Sequence, residues 1–195
     1  MLVGLGNPGP RYARTRHNVG FRVTSRFAAL HGIGLDREEF GGVFGRGAIP
    51  SGDAPPLEVA VLEPHTFMNR SGGAIAEAIA ALSVSDPEDL LVVFDDVDLP
   101  FGRLRLRPAG GAGGHRGLAD VIESLEHESF PRLRFGVGRP ERGYETRDHV
   151  LQGFSGDEER ALPDLVARAA EAVAVALTLG VEAAMNRYNA DPEAG

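Results

Sequence analysis

Residues 90–98 read LLVVFDDVD. The run Leu90–Phe94 is uninterrupted apolar sequence, β-branched and aromatic in character. It predicts a strand buried on both faces, as the central strand of a parallel sheet is. Asp95, Asp96 and Asp98 follow directly. Carboxylates therefore stand at the C-terminal end of a central strand, where open α/β sheets bind their ligands.

Outward from that strand the pattern alternates. Met1–Leu5 is a short apolar run among glycines and reads as a first strand. Asn18–His31 places Val19, Val23, Phe27 and Leu30 at helical spacing, with Phe21 off the stripe. Leu57–Leu62 reads as a strand, and Ser71 opens a Gly/Ala-rich helix, SGGAIAEAIAAL. Arg103–Arg107, RLRLR, alternates strictly and predicts a half-buried strand with its arginines on one face. His115–Leu125 reads as a helix and Leu133–Val137 as a strand. Asp157 to about Tyr188 is helical and alanine-rich. Alternating strands and helices predict a three-layer α/β domain, and the hairpin-like region at 40–62 makes its sheet mixed. No linker divides the chain, so one domain is expected over residues 1–189, with 190–195 a flexible tail.

The chain has 195 residues, a formal charge of −8 and no cysteine. Disulfides, thiolate metal sites and cysteine nucleophiles are excluded, and a cytoplasmic location is expected. No apolar run approaches the roughly 18 residues of a membrane span, and the N-terminus lacks the order of a signal peptide. The net charge argues against a general polyanion binder, but it is unevenly spread. Residues 1–26 hold five arginines and no acid, whereas residues 151–195 hold eight acids and three arginines. Every basic side chain apart from histidine is arginine, so each cationic contact is a planar, permanently charged guanidinium.

Five constellations have chemical potential. Gly4–Gly9, GLGNPG, matches the dinucleotide fingerprint GxGxxG. However, an acid is wanted roughly 20 residues on, and the first is Asp36. The competing reading is a tight turn presenting Asn7 at the end of the first strand. His17 lies in a basic loop ahead of a helix that Asn18 can cap, and its imidazole suits proton abstraction near neutrality. Asp95, Asp96 and Asp98 are metal ligands, partners for a base, or simply an Asp-rich turn. Gly110–Gly117, GGAGGHRG, with Arg103, Arg105 and Arg107 before it, is either a phosphate site at a helix start or a mobile loop beside a solvated strand. Asn69, in PHTFMNRSG, either donates to an oxyanion or, with Ser71, caps the following helix; spacing alone favours the cap.

Taken together, VGLGNPGPRYARTRHNVG, PHTFMNRSG, FDDVDLPFGRLRLR, GGAGGHRGL, RLRFGVGRP and AMNRYN resemble the bacterial peptidyl-tRNA hydrolases, in the family's order and over nearly the whole chain. The resemblance implies one α/β domain with a mixed sheet surrounded by helices. It implies hydrolysis of the ester between a peptide and the 3′-terminal ribose of tRNA, without cofactor or metal, by a monomer. The catalytic set falls on His17, as a general base activating water, on Asp95, which would orient it through a hydrogen bond, and on Asn7 and Asn69, which would position substrate and stabilise the oxyanion. Substrate contacts fall on Tyr12, Phe67, Asn69, His115 and Arg116, and the clamp for the tRNA 5′-phosphate on Arg105, Arg107 and Arg134. The N-terminal arginines and Arg132 are expected to extend that tRNA-binding patch. Residues 138–154 are expected to form a lid. Arg116 departs from the family's usual asparagine and is expected either to contact the terminal phosphates or ribose or to fold back onto Asp95 or Asp96; Glu63 departs from a common lysine. Two other classes compete: a non-catalytic RNA-binding relative of the same fold, and a nucleotide-dependent oxidoreductase resting on GxGxxG alone.

Overall fold

A computed structural model describes residues 1–140 and 143–190. Strand β1 (Leu2–Gly4) leads into a long loop and helix α1 (Val19–Leu30). Strands β2 (Arg37–Glu39), β3 (Gly42–Ser51) and β4 (Ala54–Pro64) precede helix α2 (Ser71–Leu82). Strands β5 (Leu91–Asp96) and β6 (Leu104–Arg107), helix α3 (Arg116–Leu125) and strand β7 (Arg132–Gly136) follow. Helices α4 (Thr146–Val150), α5 (Gly156–Leu179) and α6 (Val181–Tyr188) complete the described chain.

The sheet order is β2-β3-β4-β1-β5-β7-β6. Strand β5 is buried at every residue and lies between β1 and β7, both parallel to it. Strands β3 and β4 form the antiparallel hairpin that makes the sheet mixed, and β6 runs against β7 at the other edge. Successive side chains of a strand point to opposite faces, so the apolar runs feed two cores. Leu2, Leu91 and Val93 pack with Val19, Val23 and Phe27 of α1 and with Leu162 and Val166 of α5. Val3, Val92 and Phe94 pack with Ile75 of α2 and with Leu118 and Val121 of α3. That is the expected three-layer arrangement.

Some expectations need correction. Leu30 is nearly half exposed, so the buried stripe of α1 ends a turn early and is completed instead by Gly20, Thr24 and Ala28. The C-terminal helical stretch is two helices, broken at Gly180, whose φ of 89° L-residues rarely adopt. Helix α5 packs against α1 and α6. Of the expected tail, residues 191–195 lie outside the described residues, as do residues 141 and 142 of the expected lid.

The charge asymmetry resolves within the fold. Arg14 and Arg22 approach Glu159 at 3.4 and 3.6 Å, and Arg16 binds Glu158 at 2.7 Å. Arg16 and Arg22 also lie over the Phe154 ring. Three of the five N-terminal arginines thus face acids at the start of α5, and of these Arg16 is buried, so it does not extend a surface patch.

Helix α1 reaches the sheet because Gly20 has no side chain. A Cβ there falls against the carbonyl oxygens of Leu5 and Val93, well inside contact distance, and both are backbone atoms that cannot rotate away. Gly20→Ala should cost about 1–3 kcal/mol and lower Tm by roughly 3–10 °C in a thermal melt. An unchanged Tm would show that α1 can lift off the sheet freely.

Candidate active site

The C-terminal ends of β1, β4 and β5 point the same way, and three loops converge there. Asn7 follows β1 and is 7% exposed. Its N–H donates to Asn18 Oδ1 and its carbonyl accepts from Asn18 Nδ2, both at 2.9 Å. Its Oδ1 accepts the Met68 N–H, also at 2.9 Å. The side chain therefore ties the β1 loop to the Met68–Arg70 turn and keeps Nδ2 as its remaining donor. Asn18 does not cap α1 with its side chain, because that amide is committed to Asn7. The Gly4–Gly9 turn is likewise not a dinucleotide loop, which opens directly into a helix; α1 begins only at Val19, far from the glycines.

Between two pinned neighbours sits His17, in a short 3₁₀ turn, Arg16–Asn18. Its Nδ1 lies 2.8 Å from Asp95 Oδ1. His115 Nε2 lies 3.0 Å from the same oxygen. The other nitrogen of His115, Nδ1, accepts the Leu118 N–H at 3.0 Å and so caps α3. That bond places the His115 proton on Nε2, where it donates to Asp95. An ionised carboxylate only accepts, so His17 also donates, from Nδ1. The neutral His17 ring then carries a lone pair on Nε2. Burial pushes the Asp95 carboxyl up, but the charges and hydrogen bonds of His17 and His115 outweigh it and hold the group well below the usual carboxylate range.

His17, Asp95 and His115 also bring one ligand atom each within 4.8 Å of one another, close enough to hold a cation. The cap on α3 opposes it. His115 Nε2 can ligate only if its proton moves to Nδ1, which abandons the Leu118 N–H.

The neighbouring acids are engaged elsewhere. Asp96 Oδ1 accepts the Asp98 N–H, and its Oδ2 accepts from Arg134 Nε. Exposed Asp98 pairs with Arg139. A cavity of about 640 Å³ opens beside His17 and Asp95, walled by the Gly110–Gly114 loop, Arg107, Arg116, Arg134 and Arg147. Arg107 and Arg105 face Arg132 and Arg134 directly across the β6–β7 ladder. Like charges placed so are unfavourable. Arg134 is relieved by Asp96, whereas Arg132 is buried and donates to the carbonyls of Gly110, Glu128 and Phe130. Burial pushes its guanidinium down to about 10. It anchors the Gly-rich loop, which corrects its expected place in the nucleic-acid patch.

Other predicted residues stand outside this cavity. Phe67 and Asn69 are exposed on either side of buried Met68, and half-buried Tyr12 carries the Arg11 guanidinium over its ring. No side chain caps α2, so the capping reading of Asn69 and Ser71 is not realised; Ser71 Oγ donates to Met68 O instead. Asn7 lines a second, more open depression with Phe21, Ser25 and His65. Glu63 is buried at the end of β4, where the hydroxyls of Thr24 and Ser25 donate to it and join α1 to the sheet. Burial nevertheless raises its pKa. Arg116 does not fold back onto Asp95 or Asp96; it is exposed at the cavity mouth. The α4 residue Arg147, which no sequence motif singled out, also lines the cavity.

A family model described as peptidyl-tRNA hydrolase matches residues 1–194. The chain belongs to the peptidyl-tRNA hydrolase family. A peptidyl-tRNA hydrolase of Symbiobacterium thermophilum is 48% identical over 97% of this chain and 98% of its own length. One from Chloroflexus aggregans is 43% identical over the same shares. The crystal structure of the Acinetobacter baumannii peptidyl-tRNA hydrolase superposes with a TM-score of 0.87 at 37% identity, covering 97% of this chain and 93% of that one.

The shared carboxylate of this peptidyl-tRNA hydrolase family member has a pH signature. A depressed folded pKa contributes stability that is complete above the ordinary carboxyl value and lost as pH falls through the folded one. Followed from about pH 5 to about pH 2, Tm of the parent should fall more steeply than that of Asp95→Asn, which has no proton to take up. Parallel curves would mean that Asp95 is no more acidic in the folded chain than in the unfolded one.

Proposed function

We propose that this chain hydrolyses the ester between the peptide and the 3′-terminal ribose of peptidyl-tRNA, freeing the tRNA for reuse in translation, with His17 as general base. The observation that carries this reading is the pair of donors on Asp95, which leaves His17 Nε2 as a lone pair at the cavity.

Nε2 takes a proton from water as the water oxygen attacks the ester carbonyl. The imidazolium formed is stabilised by buried Asp95. The tetrahedral oxyanion is met by two amide donors, Asn69 Nδ2 on the exposed turn beside Met68 and Asn7 Nδ2, left over from its structural bonds. Collapse breaks the bond to the ribose oxygen, which takes the proton back from His17. The products are a free peptide carboxylate and a tRNA with its terminal hydroxyl restored. The water is activated by the imidazole alone, so no metal is required. Tyr12, Phe67, His115 and Arg116 meet the 3′ end. Arg105, Arg107 and Arg134 take the 5′-phosphate, the anion that relieves their like-charge ladder. Residues 138–154 close over the cleft, and the chain works as a cytoplasmic monomer.

General-base help is worth roughly 10²–10⁴-fold. His17→Ala and Asp95→Asn should each lose at least about 10²-fold in kcat on an N-acetyl-aminoacyl-tRNA, in EDTA, while the parent keeps full activity there. A His17→Ala variant close to the parent refutes the base. Zinc-reversible loss of parent activity in EDTA refutes the metal-free mechanism, and tight tRNA binding without turnover by the parent makes the chain an RNA-binding relative.

The arginine ladder is tested with two substrates. Arg107→Ala should raise KM for 5′-phosphorylated tRNA about tenfold, as expected for one charge-assisted phosphate contact. It should leave KM for a short 3′-terminal fragment nearly unchanged. Equal losses on both would place Arg107 away from the 5′ end.

A further inference from the structure

The residue before His17 is fixed more firmly than His17 itself. The Arg16 side chain is 9% exposed. Its Nη1 donates to Gly153 O at 2.6 Å and its Nη2 to Glu158 Oε2 at 2.7 Å. Its backbone N–H donates to Gln152 O at 3.0 Å, and Thr15 forms an antiparallel bridge with Gly153. The guanidinium lies over the Phe154 ring, 5.3 Å from its centre. Glu158 is engaged a second time. Its Oε2 also accepts the Ser155 N–H at 2.7 Å, while Ser155 Oγ accepts the Glu158 N–H at 3.3 Å. This capping box starts α5. One carboxylate oxygen therefore closes a helix end and holds Arg16.

On the other side of His17, Asn18 is bound reciprocally to Asn7. The turn carrying His17 is thus held at both ends, to the β1 loop by Asn18 and to the start of α5 by Arg16. Segment 151–155, which receives Arg16, continues directly from α4, whose Arg147 and Val150 wall the cavity. As a source of stability the arrangement is poor. Arg16 Nε is buried without a partner, and a buried guanidinium with an unmet donor, paired to a carboxylate still 23% exposed, often returns less than its desolvation costs. What it does supply is a single geometry.

We propose that Arg16 and Glu158 are positioning residues for hydrolysis. Their ion pair sets the His17 ring against Asp95 and registers Nε2 to the cavity wall formed by α4. This rests on His17 being the base. Neighbouring Glu159 offers a contrast: its partners Arg14 and Arg22 lie at 3.4 and 3.6 Å, and the Arg14 side chain is 81% exposed. Such surface pairs carry little energy.

The test compares kcat and KM on N-acetyl-aminoacyl-tRNA for the parent, Glu158→Gln, Arg16→Lys, the double variant, Glu159→Gln and His17→Ala, well below each Tm. Glutamine keeps an oxygen for the Ser155 N–H, so the helix cap survives the exchange. Misplacing a base by a fraction of an ångström costs about 5- to 30-fold. Glu158→Gln and Arg16→Lys should each lose that much in kcat, with KM within about twofold. The double variant should lose little more than the worse single, because both weaken the same contact, Glu158→Gln by removing its charge and Arg16→Lys by removing its fork. Glu159→Gln should match the parent. The ring ¹⁵N shifts of His17 should move in Glu158→Gln and Arg16→Lys but not in Glu159→Gln; this reads the position of the ring directly if a variant is too unstable for kinetics. Parental kcat and shifts in Glu158→Gln, with only Tm lowered, overturn the proposal, as does a loss confined to KM. An active His17→Ala removes the base itself, whereas an inactive His17→Ala beside a fully active Glu158→Gln removes only the positioning role.

Discussion

A single buried oxygen, Asp95 Oδ1, accepts from two imidazoles. A carboxylate in the interior must be paired or lose its charge, and Asp95 is only 2% exposed. The rest of the site is arranged around this demand. Strand β5 delivers the carboxylate, the 3₁₀ turn after β1 delivers His17, and the start of α3 delivers His115. Each histidine is oriented by something other than Asp95: His115 by the Leu118 N–H, and His17 by the bonds of Arg16 and Asn18. The geometry is therefore over-determined, as a proton-transfer site needs to be. The tautomer of each ring follows from hydrogen bonds alone.

Charge is handled by two different rules on the two sides of the molecule. At the start of α5, acids meet the N-terminal arginines and the charge cancels internally. On the β6–β7 ladder, four arginines face one another and only part of that charge is met from within. A protein with a net charge of −8 can therefore still present a local cationic strip to an anion. The strip is short, which limits the number of phosphates it can neutralise and keeps the salt dependence of binding shallow.

Elements with strong local signals were legible in the sequence. The β5 run, the RLRLR alternation and the helix from Ser71 lie where their periodicities predict, because burial on two faces or one leaves a distinct pattern. The histidine and the aspartate were legible as candidates, and the family resemblance implied their contact; spacing alone did not, since 78 positions separate them. The role of His115 was hidden for a different reason: a histidine at a helix start carries no spacing that reveals which nitrogen is occupied. Asn7 and Asn18 read as a substrate contact and a helix cap, yet they hold each other, a pairing only the fold creates. Arg132 and Arg16 read as surface charge because arginine has no local signature of burial; both are buried by contacts to residues on other elements.

Arg116, on the wall of the same cavity as His17, bears on the division of labour in the proposed site. Arg116 is donor-only, so it can hold an anion or a carbonyl but cannot accept a hydrogen bond from water. A water attacking the ester needs an acceptor for the proton it gives up. In the proposed mechanism that acceptor is His17 Nε2, which the hydrogen bonds to Asp95 leave without a proton. The proposed mechanism therefore depends on the placement of His17, and hence on the turn that carries it. The bonds of Arg16 and Asn18 on either side of His17 are suited to that demand.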